Sequence, residues 1–178
     1  MTSDRRPLRL RPLTPDDVPA LDVLERTLFG AAAWSPQSLA DEVVGPGRWY
    51  VGAQYGAGPL VGYAGLWFDG YDAQVMTIGT AVEHQGRGIG RVLLDALVAH
   101  AREVGAPSVL LEVRVDNEPA LRLYQRAGFE RLGLRRGYYQ PENKDAWTMR
   151  LDLTQAPGQG SAGVPAGPDA ADETGERS

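Results

Sequence analysis

Apolar residues along this chain change period repeatedly, and each change marks an element. In LRLRPL at 8–13 leucine alternates with arginine, which predicts a short strand. Thr14 then precedes Pro15, with Asp17 three residues on, so an N-cap, a first-turn proline and a capping box open a helix. Val18, Leu21, Leu24 and Leu28 follow at spacings of three and four and give that helix one apolar face. Ser35 and Pro36 repeat the start signal for a second helix, which runs to about Val44.

The period then drops to two. RWYVGAQY and LVGYAGLWF flank the turn Gly-Ala-Gly-Pro and predict a hairpin, and AQVMTIGTAV supplies a third strand. From about Gly88 the pattern is helical again, with Ile89, Leu93, Leu94, Leu97, Val98 and Ala101 inward and a stop at Gly105 before Pro107. SVLLEVRV is a strand, and the next helix is capped by Asn117, carries Pro119 in its first turn and closes at Gly128. FERLGLRR and AWTMRLDL end the body; the latter sets Trp147, Met149, Leu151 and Leu153 against Ala146, Thr148, Arg150 and Asp152. The order β α α β β β α β α β β predicts an α/β fold around one mixed sheet of seven strands and four helices.

Composition narrows the class. A chain of 178 residues with 43% hydrophobic content, four Trp, seven Tyr and three Phe can bury one core. No apolar run reaches the ~18 residues of a membrane span, and MTSDRRPLRLRP lacks the apolar stretch of an export signal. The expected location is the cytoplasm, with no membrane partner. With no cysteine there is no disulfide, thiolate metal site or cysteine nucleophile. His84 and His100 are too far apart in sequence to suggest a metal pair, so no metal is expected.

Net charge is −5, and residues 155–178 hold four acids against Arg177 alone. The body is therefore nearly balanced, without the basic stripe that nucleic-acid binding needs. That tail has one Val as its only large apolar residue and is rich in Gly, Pro and Ala. It cannot offset its ordering entropy by burial, so the expected organisation is a folded domain at 1–154 and a disordered acidic tail at 155–178. A monomer is the expected state.

One stretch, EHQGRGIGRVLL at 83–94, is unlike ordinary helix punctuation. A strand that passes through glycines into a helix presents unpaired backbone N–H groups and the positive end of the helix dipole. Gly86, Gly88 and Gly90 remove the Cβ atoms that would keep a phosphate off the backbone, and Arg87 and Arg91 add charge. The loop suits a diphosphate. It lacks the Lys-Ser/Thr of a Walker loop, and its G-x-G-x-G is not the G-x-G-x-x-G of dinucleotide folds. The plain alternative is a glycine-rich turn before an ordinary helix.

Gln85-Gly86-Arg87-Gly88-Ile89-Gly90 resembles the Q/R-x-x-G-x-G/A motif of the GNAT family of N-acetyltransferases, and the likeness covers about residues 8–153. LEVRVDNEPALRLYQRAGF at 111–129, LRRGYY at 134–139 and AWS at 33–35 are similar to the bacterial RimI type, which acetylates the N-terminal alanine of a small-subunit ribosomal protein. TAVEH at 80–84 departs from the family, which usually has a proline where Val82 stands.

The resemblance implies a GNAT-like, mostly antiparallel sheet, acetyl coenzyme A as co-substrate, and a protein N-terminus as acceptor. It makes Glu112 the general base and Tyr124 the general acid. Ile78, Gly79 and Thr80 would meet the pantetheine arm, Gly86, Arg87, Gly88, Ile89, Gly90 and Arg91 the diphosphate, and Asn117 the cofactor. Trp34, Tyr138 and Tyr139 would border the acceptor peptide.

Read without the family, these residues admit plainer roles. Period two puts Glu112 opposite in face to Leu111 and Val113, where a carboxylate needs a partner: Arg114, or an arginine of a neighbouring strand. Tyr124 fits a core position one turn before Gly128. Trp34 and Leu39 form a hydrophobic staple, Tyr138 and Tyr139 pack on an edge strand, and Arg135 and Arg136 meet solvent. The same fold could acetylate a small-molecule amine or a lysine side chain. A non-catalytic acyl coenzyme A binding module is the reading from a different class.

Overall fold

The computed structural model describes residues 6–155. The predicted tail at 155–178 lies outside them apart from its first residue. Seven strands form one sheet in the order β1-β2-β3-β4-β5-β7-β6. They are β1 Leu8–Pro12, β2 Arg48–Tyr55, β3 Leu60–Phe68, β4 Ala73–Thr80, β5 Ser108–Arg114, β6 Glu130–Tyr139 and β7 Lys144–Asp152. Four α-helices accompany them: α1 Val18–Phe29, α2 Pro36–Val44, α3 Ile89–Glu103 and α4 Glu118–Arg126. Every neighbouring pair is antiparallel except β4 and β5.

The helix starts follow the local chemistry. Asp17 accepts from the Thr14 N–H at 2.8 Å, closing the predicted capping box, and it also binds the Arg11 guanidinium through two nitrogens at 2.9 and 2.6 Å. That pair ties the entry of α1 to β1. Ser35 accepts from the Ser38 N–H at 3.1 Å, and Asn117 from the Ala120 N–H at 3.3 Å.

Two apolar clusters hold the layers. The larger joins α3 and α4 to the sheet through buried Leu93, Leu94 and Leu97 of α3, Leu121 of α4, and Val109, Leu111 and Met149 of the strands. The smaller sits on the opposite face, where Leu21 and Leu39 of the first two helices meet Tyr50 and Tyr63. Burying a side chain of leucine size contributes about 1.5–3 kcal/mol, so both faces of the central strands are fixed against slippage. Among the described residues no helix is long and apolar enough to cross a membrane.

Several boundaries differ from the sequence reading, two of them next to the site. The third strand stops at Thr80, because Val82–His84 form a 3-10 turn. The sixth runs past Arg136 to Tyr139, paired with β7 at Tyr139↔Lys144.

Candidate active site

The site begins with a strand pair that fails to stay paired. β4 and β5 match only at Ala73↔Val109 and Gln74↔Leu110. The β3–β4 register steps between Gly65 and Leu66, which leaves Met76 as an extra residue in β4. A bulge bends its strand and adds twist. Past it, β4 leaves β5, and a cavity of about 580 Å³ occupies the cleft between their carboxyl-terminal halves. Val75 to Ile78 form one side and Leu111 to Arg114 the other; α1, Trp34, α4 and Tyr139 complete the walls.

Glu112 projects from β5 into this cleft and is mostly sheltered, its side chain 12% exposed. One carboxylate oxygen accepts from Arg135 Nη1 at 3.1 Å and the other from Gln74 Nε2 at 3.1 Å. The arginine comes from β6, two strands away. Glu112 faces Thr148 and Arg135 faces Ala146 across β7, so the two small β7 residues let the guanidinium lie over them on that face. Arg114, the other candidate partner, pairs with Asp116 at 3.0 Å instead.

Tyr124 reaches the cleft from α4, its ring tilted against Phe129 with centroids 5.8 Å apart. Burial, then the neighbouring Tyr139, pushes its hydroxyl up to about 12. It is both a core tyrosine and a cavity wall. Tyr139 donates to the Glu112 backbone carbonyl at 3.3 Å, and burial first, then Tyr138, pushes it to about 12 as well. Both phenols are neutral proton carriers across the physiological range.

Trp34 and Asn117 line the same cavity, as does Ile78. Tyr138 does not: it is 40% exposed and lies against Arg135, whose guanidinium carbon is 4.4 Å from the ring centroid. Gly79 is buried against Leu28 and Tyr63, where an added Cβ would come within 2.8 Å of either side chain.

The glycine loop stands at the end of β4, outside the cavity wall. Gly86 and Gly88 have φ of 72° and 81°, the left-handed region that L side chains avoid, and space for a Cβ is open at both. Conformation therefore requires these two glycines, and the free space lies outside them. Gln85 donates to the Thr80 carbonyl at 3.1 Å and pins the loop to β4. Gly88 caps α3 with no side-chain bond to its first N–H groups, so these point outward with the dipole of a 15-residue helix. Arg87 is exposed beside them, while Arg91 is engaged by Asp95 at 2.8 Å. An uncrowded backbone cradle of this kind fits a diphosphate. Val82 occupies the first position of the 3-10 turn, where proline is also accommodated, so the departure from the family pattern leaves the turn in place.

Glu25 in the cavity wall, and Gln74 and Arg135 as the partners of Glu112, escaped the sequence reading. Only Glu25 left a signal, a carboxylate four residues after Leu21 and three before Leu28 on the apolar stripe of α1. It is 2% exposed.

A splayed parallel pair with a glycine cradle at its open end is the frame of an acyl-transfer fold, and the sequence profile described as Acetyltransferase (GNAT) family matches residues 18–129. The chain belongs to that family and is an acetyl-transferring enzyme. It is 45% identical over 157 residues to N-alpha-acetyltransferase RimI of Mycobacterium tuberculosis, covering 85% of this chain and 97% of that one. It is 33% identical over 85 residues to the ribosomal protein bS18-alanine N-acetyltransferase of Escherichia coli, covering 47% of this chain and 57% of the relative. The crystal structure of the ribosomal-protein-S18-alanine N-acetyltransferase from Escherichia coli superposes with a TM-score of 0.76 at 25% identity, over 87% of this chain and 99% of that chain.

Proposed function

We propose that this enzyme acetylates the N-terminal amine of a protein, with the N-terminal alanine of a small-subunit ribosomal protein as its acceptor and acetyl coenzyme A as its donor. The observation that carries the reading is the convergence of Glu112 and Tyr124 on one cavity in the β4–β5 cleft. The names of the relatives support the acceptor. The reading takes the enzyme to be cytoplasmic and monomeric, with a protein N-terminus and not a nucleic acid as its partner.

Gly86 to Arg91 would hold the diphosphate, the backbone of Ile78, Gly79 and Thr80 the arm, and Asn117 the cofactor's inner end. Bound acetyl coenzyme A supplies a thioester, an acyl group activated toward a neutral amine. Glu112 takes the proton from that amine through a water, the role that its position at the cleft and its free lone pairs allow. Tyr124, protonated up to about 12, delivers a proton to the departing sulfur. With no cysteine in the chain, transfer is direct from donor to acceptor. Trp34 and Tyr139 narrow the peptide entrance, and Tyr138 meets the peptide only beyond it.

Peptides that differ in their first residue, offered with acetyl coenzyme A and followed by thiol release, test the reading. An alanine-first peptide should be among the best acceptors; release that ignores the first residue would argue against it.

A further inference from the structure

We infer that Glu25 recognises the protonated amine of the acceptor before Glu112 deprotonates it, an inference that rests on the N-terminal reading above. Glu25 lies on the apolar stripe of α1, 2% exposed, in the wall of the cavity that holds Glu112. A buried carboxylate is costly unless its oxygens are satisfied. Two donors serve it: the Tyr63 hydroxyl of β3, and the Trp34 backbone N–H at 3.1 Å. Burial, and then Glu25 itself, pushes the Tyr63 hydroxyl up, so it stays a donor. Both donors are neutral. Among the described residues no cation pairs with Glu25, so its carboxylate has no counter-charge among them.

The other acids of the wall differ. Glu112 is matched by Arg135 at 3.1 Å, and Glu142 is exposed, where water and salt screen it. A carboxylate accepts at about four lone-pair positions, so two remain on Glu25 after its donors are counted. An α-amine with a pKa of about 8 arrives mostly protonated at neutral pH. A sheltered carboxylate without a counter-charge among the described residues, lining the same cavity as the base, is the group that would hold such an ammonium. Because Glu25 also fixes the Trp34 backbone, the charge and the wall that frames the first residue are set by one side chain.

Calorimetry on the full chain tests this with two peptides, one beginning with alanine and one with a propionyl group, which lacks only the amine. Wild type should prefer the amine peptide by about tenfold, the worth of a hydrogen bond to a charged group. Glu25→Gln keeps the side-chain shape and should reduce the preference to within about twofold while leaving the propionyl peptide's affinity unchanged. Tyr63→Phe removes a donor but not the charge, and should keep the preference. Should Glu25→Gln not fold, the double variant Glu25→Met with Tyr63→Phe removes charge and donor together and serves in its place. Equal binding of the two peptides by wild type, an undiminished preference in the charge-free variant, or an equal loss in Tyr63→Phe would each overturn the inference. Mass spectrometry of the wild-type product judges the underlying reading separately, because it reports where the acetyl group goes whatever Glu25 does.

Discussion

Glu112 is gripped at both oxygens, by Arg135 and by Gln74, so Glu112→Gln preserves its shape and an acceptor while removing the base. Turnover should fall by about 10²–10⁴ with acetyl coenzyme A affinity unchanged, and recover in part at high pH as solvent deprotonates the amine. Wild-type turnover in this variant would remove Glu112 from the chemistry. Tyr124→Phe should also slow turnover, since its hydroxyl is neutral up to about 12 and its loss removes a proton donor at every working pH. A steady-state rate unchanged from pH 6 to 9 would contradict that. Glu112 was legible because a carboxylate inside an apolar strand conflicts with its pattern, whereas Tyr124 and Trp34 fit core and staple positions and became candidates through the family resemblance. Arg135 was not, since its contact with Glu112 depends on a register across β7 that no local spacing encodes. The sequence reading also put Tyr138 with Tyr139 at the peptide; Tyr139 lines the cavity, whereas Tyr138, edge-on to it with ring centroids 5.0 Å apart, lies outside the cavity wall beside Arg135.

The element that carries the cofactor reading is the turn into α3, and its glycines are not equivalent. Gly88 has φ of 81°, so a β-branched residue there costs about 1–2 kcal/mol or more and redirects the N–H groups. Gly90 sits in the first turn, where an added Cβ would meet only Leu123 at an ordinary 3.6 Å. Gly88→Val should therefore abolish measurable acetyl coenzyme A binding by calorimetry in a folded protein, while Gly90→Ala retains it. Equal affinities in the two variants would sink the diphosphate assignment. At the other end of the domain, the hydrogen bonds from Arg11 hold Asp17 at about 2, below its ordinary 3.8. A depressed carboxylate adds stability above its unfolded value and loses it as the pH falls through the folded one. Asp17→Asn should thus cost on the order of 1 kcal/mol at pH 7, the partly exposed arginine limiting the gain, and almost nothing at pH 2. An equal loss of melting temperature at both pH values would contradict the pairing. Elements such as α3 and α4 were readable because caps, prolines and closing glycines coincide with a change of period. The splay of β4 from β5 was not, because a bulge at Met76 is a property of pairing, and MTIG reads as a regular strand.

At the scale of the molecule, two apolar clusters on opposite faces of one sheet support a cleft that opens where the sheet divides. Alternation and helical spacing made the fold class readable, and the glycine motif made the family readable, but the cavity had to come from topology. The proposed division at residue 154 predicts that removing 155–178, which carries a single Val among Gly, Pro and Ala, leaves melting temperature and peptide acetylation nearly unchanged. A fall of several degrees would make those residues part of the domain. The choice of amine belongs to the whole enzyme. Near neutral pH an α-amine with a pKa of about 8 is neutral in roughly a tenth of molecules, whereas a lysine near 10.4 is neutral in under about a thousandth. A carboxylate base acting through water inherits that few-hundredfold advantage, and the proposed walls at Trp34 and Tyr139 would favour a small first side chain. The decisive measurement is mass spectrometry of an alanine-first peptide that also carries an internal lysine, after reaction with acetyl coenzyme A, beside the same peptide with its α-amine blocked. The acetyl group should appear on the N-terminal nitrogen and the blocked peptide should remain nearly inert; acetylation mainly on the lysine side chain would contradict an N-terminal acetyltransferase.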